Sequence, residues 1–103
     1  MSTLENVTVN KRANFYFDGK CVSYTITTAD HTKKSVGLIF PSTLTFNTGA
    51  PEVMEIVGGL CRVRLEGATE WNDYAAGQLF SIGANSSFDI ETIDTVEYVC
   101  HFG

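Results

Sequence analysis

Hydrophobic and polar positions alternate along most of this chain in short runs separated by turn residues. Val22, Tyr24 and Ile26 interleave with Cys21, Ser23, Thr25 and Thr27, the period of two that a β-strand imposes. Asp18-Gly19 marks a turn before that run and Ala29-Asp30-His31 a turn after it. Further strands are predicted at 34–40, 43–47, 52–57, 61–65, 78–82, 86–92 and 95–102, punctuated by Gly49-Ala50-Pro51, Gly77, Gly83-Ala84-Asn85 and Asp94. Gly58-Gly59, between two such runs, predicts a two-residue hairpin, because those turns need positive backbone angles. In the strand that follows, Cys61, Val63 and Leu65 share one face, while Arg62 and Arg64 share the other, solvated one. No helical period lasts beyond a turn. Residues 1–13 are polar and aperiodic and read as an N-terminal extension; residues 14–103 read as one all-β domain, a sandwich or barrel.

Composition narrows the function classes. A chain of 103 residues has room for one core. No apolar run approaches the roughly 20 residues of a membrane helix, and the first residues lack the layout of a signal peptide. The expected location is the cytoplasm, with no membrane partner. Net charge is −5, and the basic residues form only small groups, which disfavours a nucleic-acid partner that needs extended phosphate neutralisation. Cys21, Cys61 and Cys100 are odd in number, far apart and set in strand-like runs. They read as small buried hydrophobes in a reducing compartment rather than as a disulfide framework.

The stretch Phe46-Asn47-Thr48-Gly49-Ala50-Pro51-Glu52, closed by Gly59, has the layout of the first metal-binding motif of the cupin barrels. In that motif two histidines one residue apart precede a glutamate and then a glycine. Glu52 holds the glutamate position, but Phe46 and Thr48 hold the histidine positions. Gly77-Gln78-Leu79-Phe80-Ser81-Ile82-Gly83 through Phe88 fits the second motif, with Phe88 at its histidine. The chain resembles, over roughly residues 15–103, the small pyrimidine/purine nucleoside phosphorylase family of cupins. Phe17-Asp18-Gly19-Lys20, Ser35-Val36-Gly37, Thr45-Phe46-Asn47-Thr48, Pro51-Glu52-Val53-Met54, Trp71, Tyr74, Gly77, Phe80, Ser86-Ser87-Phe88 and Tyr98-Val99-Cys100 carry the match. Gly83-Ala84-Asn85 departs from the proline-glycine-histidine common in the family, and His101 stands where an arginine is often found.

The resemblance implies a single cupin-type β-barrel or jelly roll, a homodimer, and phosphorolysis: inorganic phosphate displaces a purine or pyrimidine from a nucleoside, giving free base and a pentose 1-phosphate. Nucleosides and phosphate are the implied small-molecule partners. A cupin metal site combines imidazole with carboxylate, and Glu52 alone is a weak ligand set. The expectation is therefore no catalytic metal and no cofactor, with phosphate as co-substrate. Phe46 and Phe88 offer flat walls on which any base can stack, or else fill the core; Thr48 and Glu52 are the polar groups beside them. Glu52 is the catalytic candidate, a carboxylate that offsets positive charge on the sugar as the glycosidic bond breaks; the alternative is a turn cap at the rim. Lys34 with Ser35, and separately His101, are candidates for holding phosphate. Tyr98 or Asn85 are candidates for assisting the departing base. A non-catalytic cupin that binds a sugar or nucleotide is the competing reading.

Overall fold

The computed structural model describes residues 3–102; Met1, Ser2 and Gly103, at the ends of the expected extension and domain, lie outside the described residues. Among the described residues every regular element is a strand. In chain order they are β1 (Thr8–Val9), β2 (Asn14–Tyr16), β3 (Cys21–Thr27), β4 (Lys33–Ile39), β5 (Ser42–Asn47), β6 (Glu52–Gly58), β7 (Leu60–Leu65), β8 (Asn72–Ala75), β9 (Leu79–Ile82), β10 (Ser87–Thr92) and β11 (Val96–Phe102). The larger sheet runs β1-β3-β4-β11-β6-β9, with β2 also on β3; the smaller runs β5-β10-β7-β8. All pairings are antiparallel. The expected all-β class is correct, but the two sheets keep separate edges and form a sandwich rather than a closed barrel.

Three local features differ from the sequence expectation. The hairpin at Gly58-Gly59 does not form: β6 pairs with β11 and β9, whereas β7 pairs with β10 and β8. Gly59 instead turns a tight corner from one sheet to the other. Its φ is +84°, and a Cβ there would lie 2.5 Å from the Thr95 carbonyl oxygen, so only glycine fits without strain. Residues 72–75, outside every predicted strand, form an edge strand on β7. Within the stretch 1–13, Thr8 and Val9 pair with Thr27 and Ile26 of β3.

The inner faces of the sheets supply the core. Ile39, Ile56, Ile90 and Val96 are fully buried, with Val63, Cys21 and Cys61 beside them. Each large aliphatic side chain buried this way contributes about 1.5–3 kcal/mol. The outer face of the smaller sheet is a charged ladder: Arg62 pairs with Glu91 at 2.8 Å and Arg64 with Asp89 at 2.8 Å. Both guanidinium groups lie over the Trp71 ring, 5.1 and 4.7 Å from its centroid. On β3 the polarity is inverted. Ser23 and Thr25 point inward, while Ile26 is buried on the outer face near Leu4, Val7 and Val9. A strand with polar residues facing inward must border something other than packed hydrocarbon, and here it borders a cavity.

Candidate active site

The sheets pack tightly at one end and part at the other, leaving a cavity of about 190 Å³. β5 and β10 face it from the smaller sheet with Phe46, Asn47 and Phe88; β2, β3, β4, β6 and β11 face it from the larger. Phe46 and Phe88 are directly paired across β5 and β10, and their rings stack at 5.4 Å with planes 16° apart. They form one continuous apolar wall rather than two jaws, so a flat ligand would lie on the pair and not between its members. Phe88 packs edge-on against Phe80 at 5.6 Å and is buried in the core cluster; it fills the core and walls the cavity at once. Phe17 meets Phe46 edge-on at 5.1 Å from a turn in which Phe17 and Asp18 have φ of 54° and 55°. That left-handed conformation is uncommon for a bulky residue.

Glu52 opens β6 and reaches the cavity half-buried, on the inner row with Met54. The Cys100 thiol donates to its Oε1 at 3.4 Å. Burial raises the pKa of the Glu52 carboxyl, and the bond from Cys100 only partly opposes that shift. Desolvation and the neighbouring carboxylate push the Cys100 thiol far upward, so it stays protonated and serves as a donor. Tyr98 stands on the same strand two residues earlier, its hydroxyl 3.4 Å from Cys21 Sγ. Burial raises its pKa first of all, which keeps the phenol neutral. Gly37 makes room for it: a Cβ at that position would sit 3.0 Å from the Tyr98 hydroxyl and 2.5 Å from the Val22 carbonyl.

The remaining residues singled out in the sequence are distributed differently. Ser35 lines the cavity, but Lys34 is its neighbour on β4 and falls on the opposite face. There Lys34 Nζ lies 2.6 Å from His101 Nδ1, and His101 Nε2 lies 2.9 Å from Glu55 Oε1. His101 is on that outer face for the same reason, being adjacent to inward-facing Cys100. Thr48 is buried outside the cavity, where its hydroxyl donates to the Gly83 carbonyl at 2.6 Å and accepts from Ser86 N–H at 3.0 Å. It ties the β5–β6 connection to the β9–β10 turn. Asn85 is exposed in that turn at φ 49°, and its N–H donates to the Gly49 carbonyl at 3.0 Å. The cavity also contains groups that sequence reasoning missed: Asn14, Ser23, Thr25 and Asn47. Asn14 Nδ2 donates to Thr25 Oγ1 at 3.0 Å and to Ser23 Oγ at 3.4 Å. On a sequence, such residues on one face of a strand look like a solvated surface.

Among the described residues no three His, Cys, Asp or Glu side chains are grouped to hold a metal ion. The cavity therefore presents an aromatic wall on one sheet, and on the other a desolvated carboxylate among neutral hydroxyl, amide, phenol and thiol groups. Such a site can stack a planar ring and hydrogen-bond a polyhydroxylated one.

Fold and cavity together define an antiparallel β-sandwich with a polar-and-aromatic pocket between its sheets, and the relatives give its family. The sequence profile of the family described as pyrimidine/purine nucleoside phosphorylase matches residues 11–102. The chain is 67% identical over 98 residues to a pyrimidine/purine nucleoside phosphorylase of Herminiimonas arsenicoxydans, covering 95% of this chain and 94% of that protein. It is 64% identical over 103 residues to the protein of the same name from Cupriavidus metallidurans, covering the whole of both. A crystal structure of a protein of unknown function from Acinetobacter sp. ADP1 is 46% identical, covers 98% of each chain and superposes with a TM-score of 0.96. The chain belongs to the pyrimidine/purine nucleoside phosphorylase family.

Proposed function

We propose that the open-end cavity carries out phosphorolysis of nucleosides with broad choice of base. A phosphate oxygen forms a bond to the anomeric carbon of the pentose as the carbon–nitrogen bond breaks. The base leaves with the bonding electron pair and takes up a proton, and the sugar leaves as its 1-phosphate. The base stacks on the Phe46–Phe88 wall, where contact depends on a π-face and not on the pattern of edge groups. Glu52, across the cavity from that wall, accepts hydrogen bonds from the sugar and offsets the positive charge that builds on it. Charge stabilisation by a preorganised group in a dry site is commonly the largest catalytic contribution. Cys100 orients that carboxylate, and the neutral Tyr98 phenol is a donor for the leaving base. The reaction draws on no cofactor or metal, with phosphate as co-substrate, in a cytoplasmic homodimer.

The observation that carries this reading is the half-buried Glu52 facing an aromatic wall in a chain matched by the family profile over residues 11–102. The test incubates chelator-treated protein with uridine, inosine and adenosine, with and without phosphate, and measures free base and pentose 1-phosphate. Release that requires phosphate, from both purine and pyrimidine nucleosides, is the expected result. A nucleoside-induced rise in melting temperature with no turnover would overturn it in favour of a binding protein.

A further inference from the structure

Phosphorolysis needs a place for a phosphate anion, and none of the side chains lining the cavity is cationic. The β4 register identifies a candidate. Successive residues on a strand point to opposite faces, so Lys33 shares the inner row with Ser35, whereas Lys34 does not. Lys33 is exposed, at the end of β4 where the cavity opens, and pairs in register with Thr27; Ser35 pairs with Thr25. Thr25 and Ser35 both line the cavity. Among the described residues the ion pairs are Arg62–Glu91, Arg64–Asp89 and His101–Glu55, none of which engages Lys33. One ammonium group in none of these ion pairs and two hydroxyls are therefore carried on the same face of adjacent strands, the hydroxyls in the cavity and the lysine one inner position beyond them. β11 separates β4 from β6, so the β4 members of this cradle lie two strand spacings, about 10 Å, from the strand that carries Glu52, and Thr25 on β3 lies one spacing further. A pentose fits in that interval, with phosphate on one side and the carboxylate on the other.

We propose that Lys33, with the hydroxyls of Thr25 and Ser35, holds the attacking phosphate. The assignment rests on the phosphorolysis reading, and two independent readouts keep them separable. In steady-state assays, Lys33→Ala should raise the apparent KM for phosphate about tenfold or more, the scale of one lost charge-assisted hydrogen bond. The KM for uridine should stay the same, Lys33→Arg should restore most of the phosphate affinity, and Lys34→Ala should match the wild type. A wild-type phosphate KM in Lys33→Ala overturns the assignment. If the wild type releases no base with phosphate, phosphorolysis itself fails, and calorimetric titration with inorganic phosphate then decides Lys33. Binding by the wild type that Lys33→Ala loses would still assign the lysine to an anion site. No binding by the wild type, or equal binding by both proteins, would reject it.

Discussion

The two ends of the sandwich are built from the same strands to opposite purposes. At the closed end Ile39, Ile56, Ile90 and Val96 interdigitate with no exposure. At the open end the same inner rows continue as Ser35 on β4, Glu52 on β6, Phe88 on β10 and Cys100 on β11. Travelling along each strand, hydrocarbon gives way to hydroxyl, carboxylate, aromatic ring and thiol. The closed end satisfies packing alone. The open end keeps a carboxylate partly out of water, a cost that the bond from Cys100 offsets only in part. Stability and chemistry are thus separated along the strand axis, a few residues apart.

Substitutions should report that separation. The largest effect is expected from the closed end: Ile90→Ala removes a fully buried side chain and should lower unfolding stability by about 2–5 kcal/mol. Urea denaturation measures this, and turnover by the remaining folded protein should change less than about threefold. Comparable damage to turnover would show that the two ends are not separable.

An intermediate effect concerns pH. Because burial raises the Glu52 pKa above its unfolded value, its contribution to stability is fully present below the ordinary carboxylate pKa. That contribution is lost as pH rises through the raised value. On the proposed role of Glu52, catalysis by its carboxylate form should rise over the same window. Activity and the Glu52-dependent part of stability should therefore move in opposite directions as pH rises from the ordinary carboxylate value through the raised one, as pH-rate profiles and denaturation curves would record.

The smallest effect belongs to neither end. Arg64→Ala breaks the exposed pair with Asp89 and should cost under about 1 kcal/mol, since solvent screens such pairs. Turnover should be unchanged. Thr45 and Arg64 together hold the Asp89 pKa low, so what that pair contributes should fade as pH falls through the depressed value.

Much of the scaffold is legible in the sequence because alternation marks a strand wherever one face is buried. The runs at 52–57 and 61–65 show this directly against β6 and β7. Pairing is less legible. Gly58-Gly59 announces a sharp turn with a positive angle, but that chemistry serves a corner between sheets as well as a hairpin within one. The edge strand Asn72–Ala75 is short and half polar, too little for a period to register. Of the residues lining the cavity, Phe46, Glu52 and Phe88 stand out through the cupin motif layout, Ser35 as a hydroxyl beside a lysine, and Tyr98 as a candidate donor to the base. Ser23, Thr25 and Asn14 do not, because a polar row facing a cavity has the same pattern as one facing water. The one available signal is the hydrophobic row Val22, Tyr24 and Ile26 on the other side of β3. The expected pairing of Lys34 with Ser35 fails because neighbours on a strand face opposite ways.

The most direct test of this account is Glu52→Gln, assayed for phosphate-dependent base release and for urea stability near neutral pH in one preparation. The account predicts a loss of turnover of about 10²–10³-fold together with stability equal to or above the wild type, because a neutral isostere relieves the buried charge. Full turnover in the folded variant would contradict it.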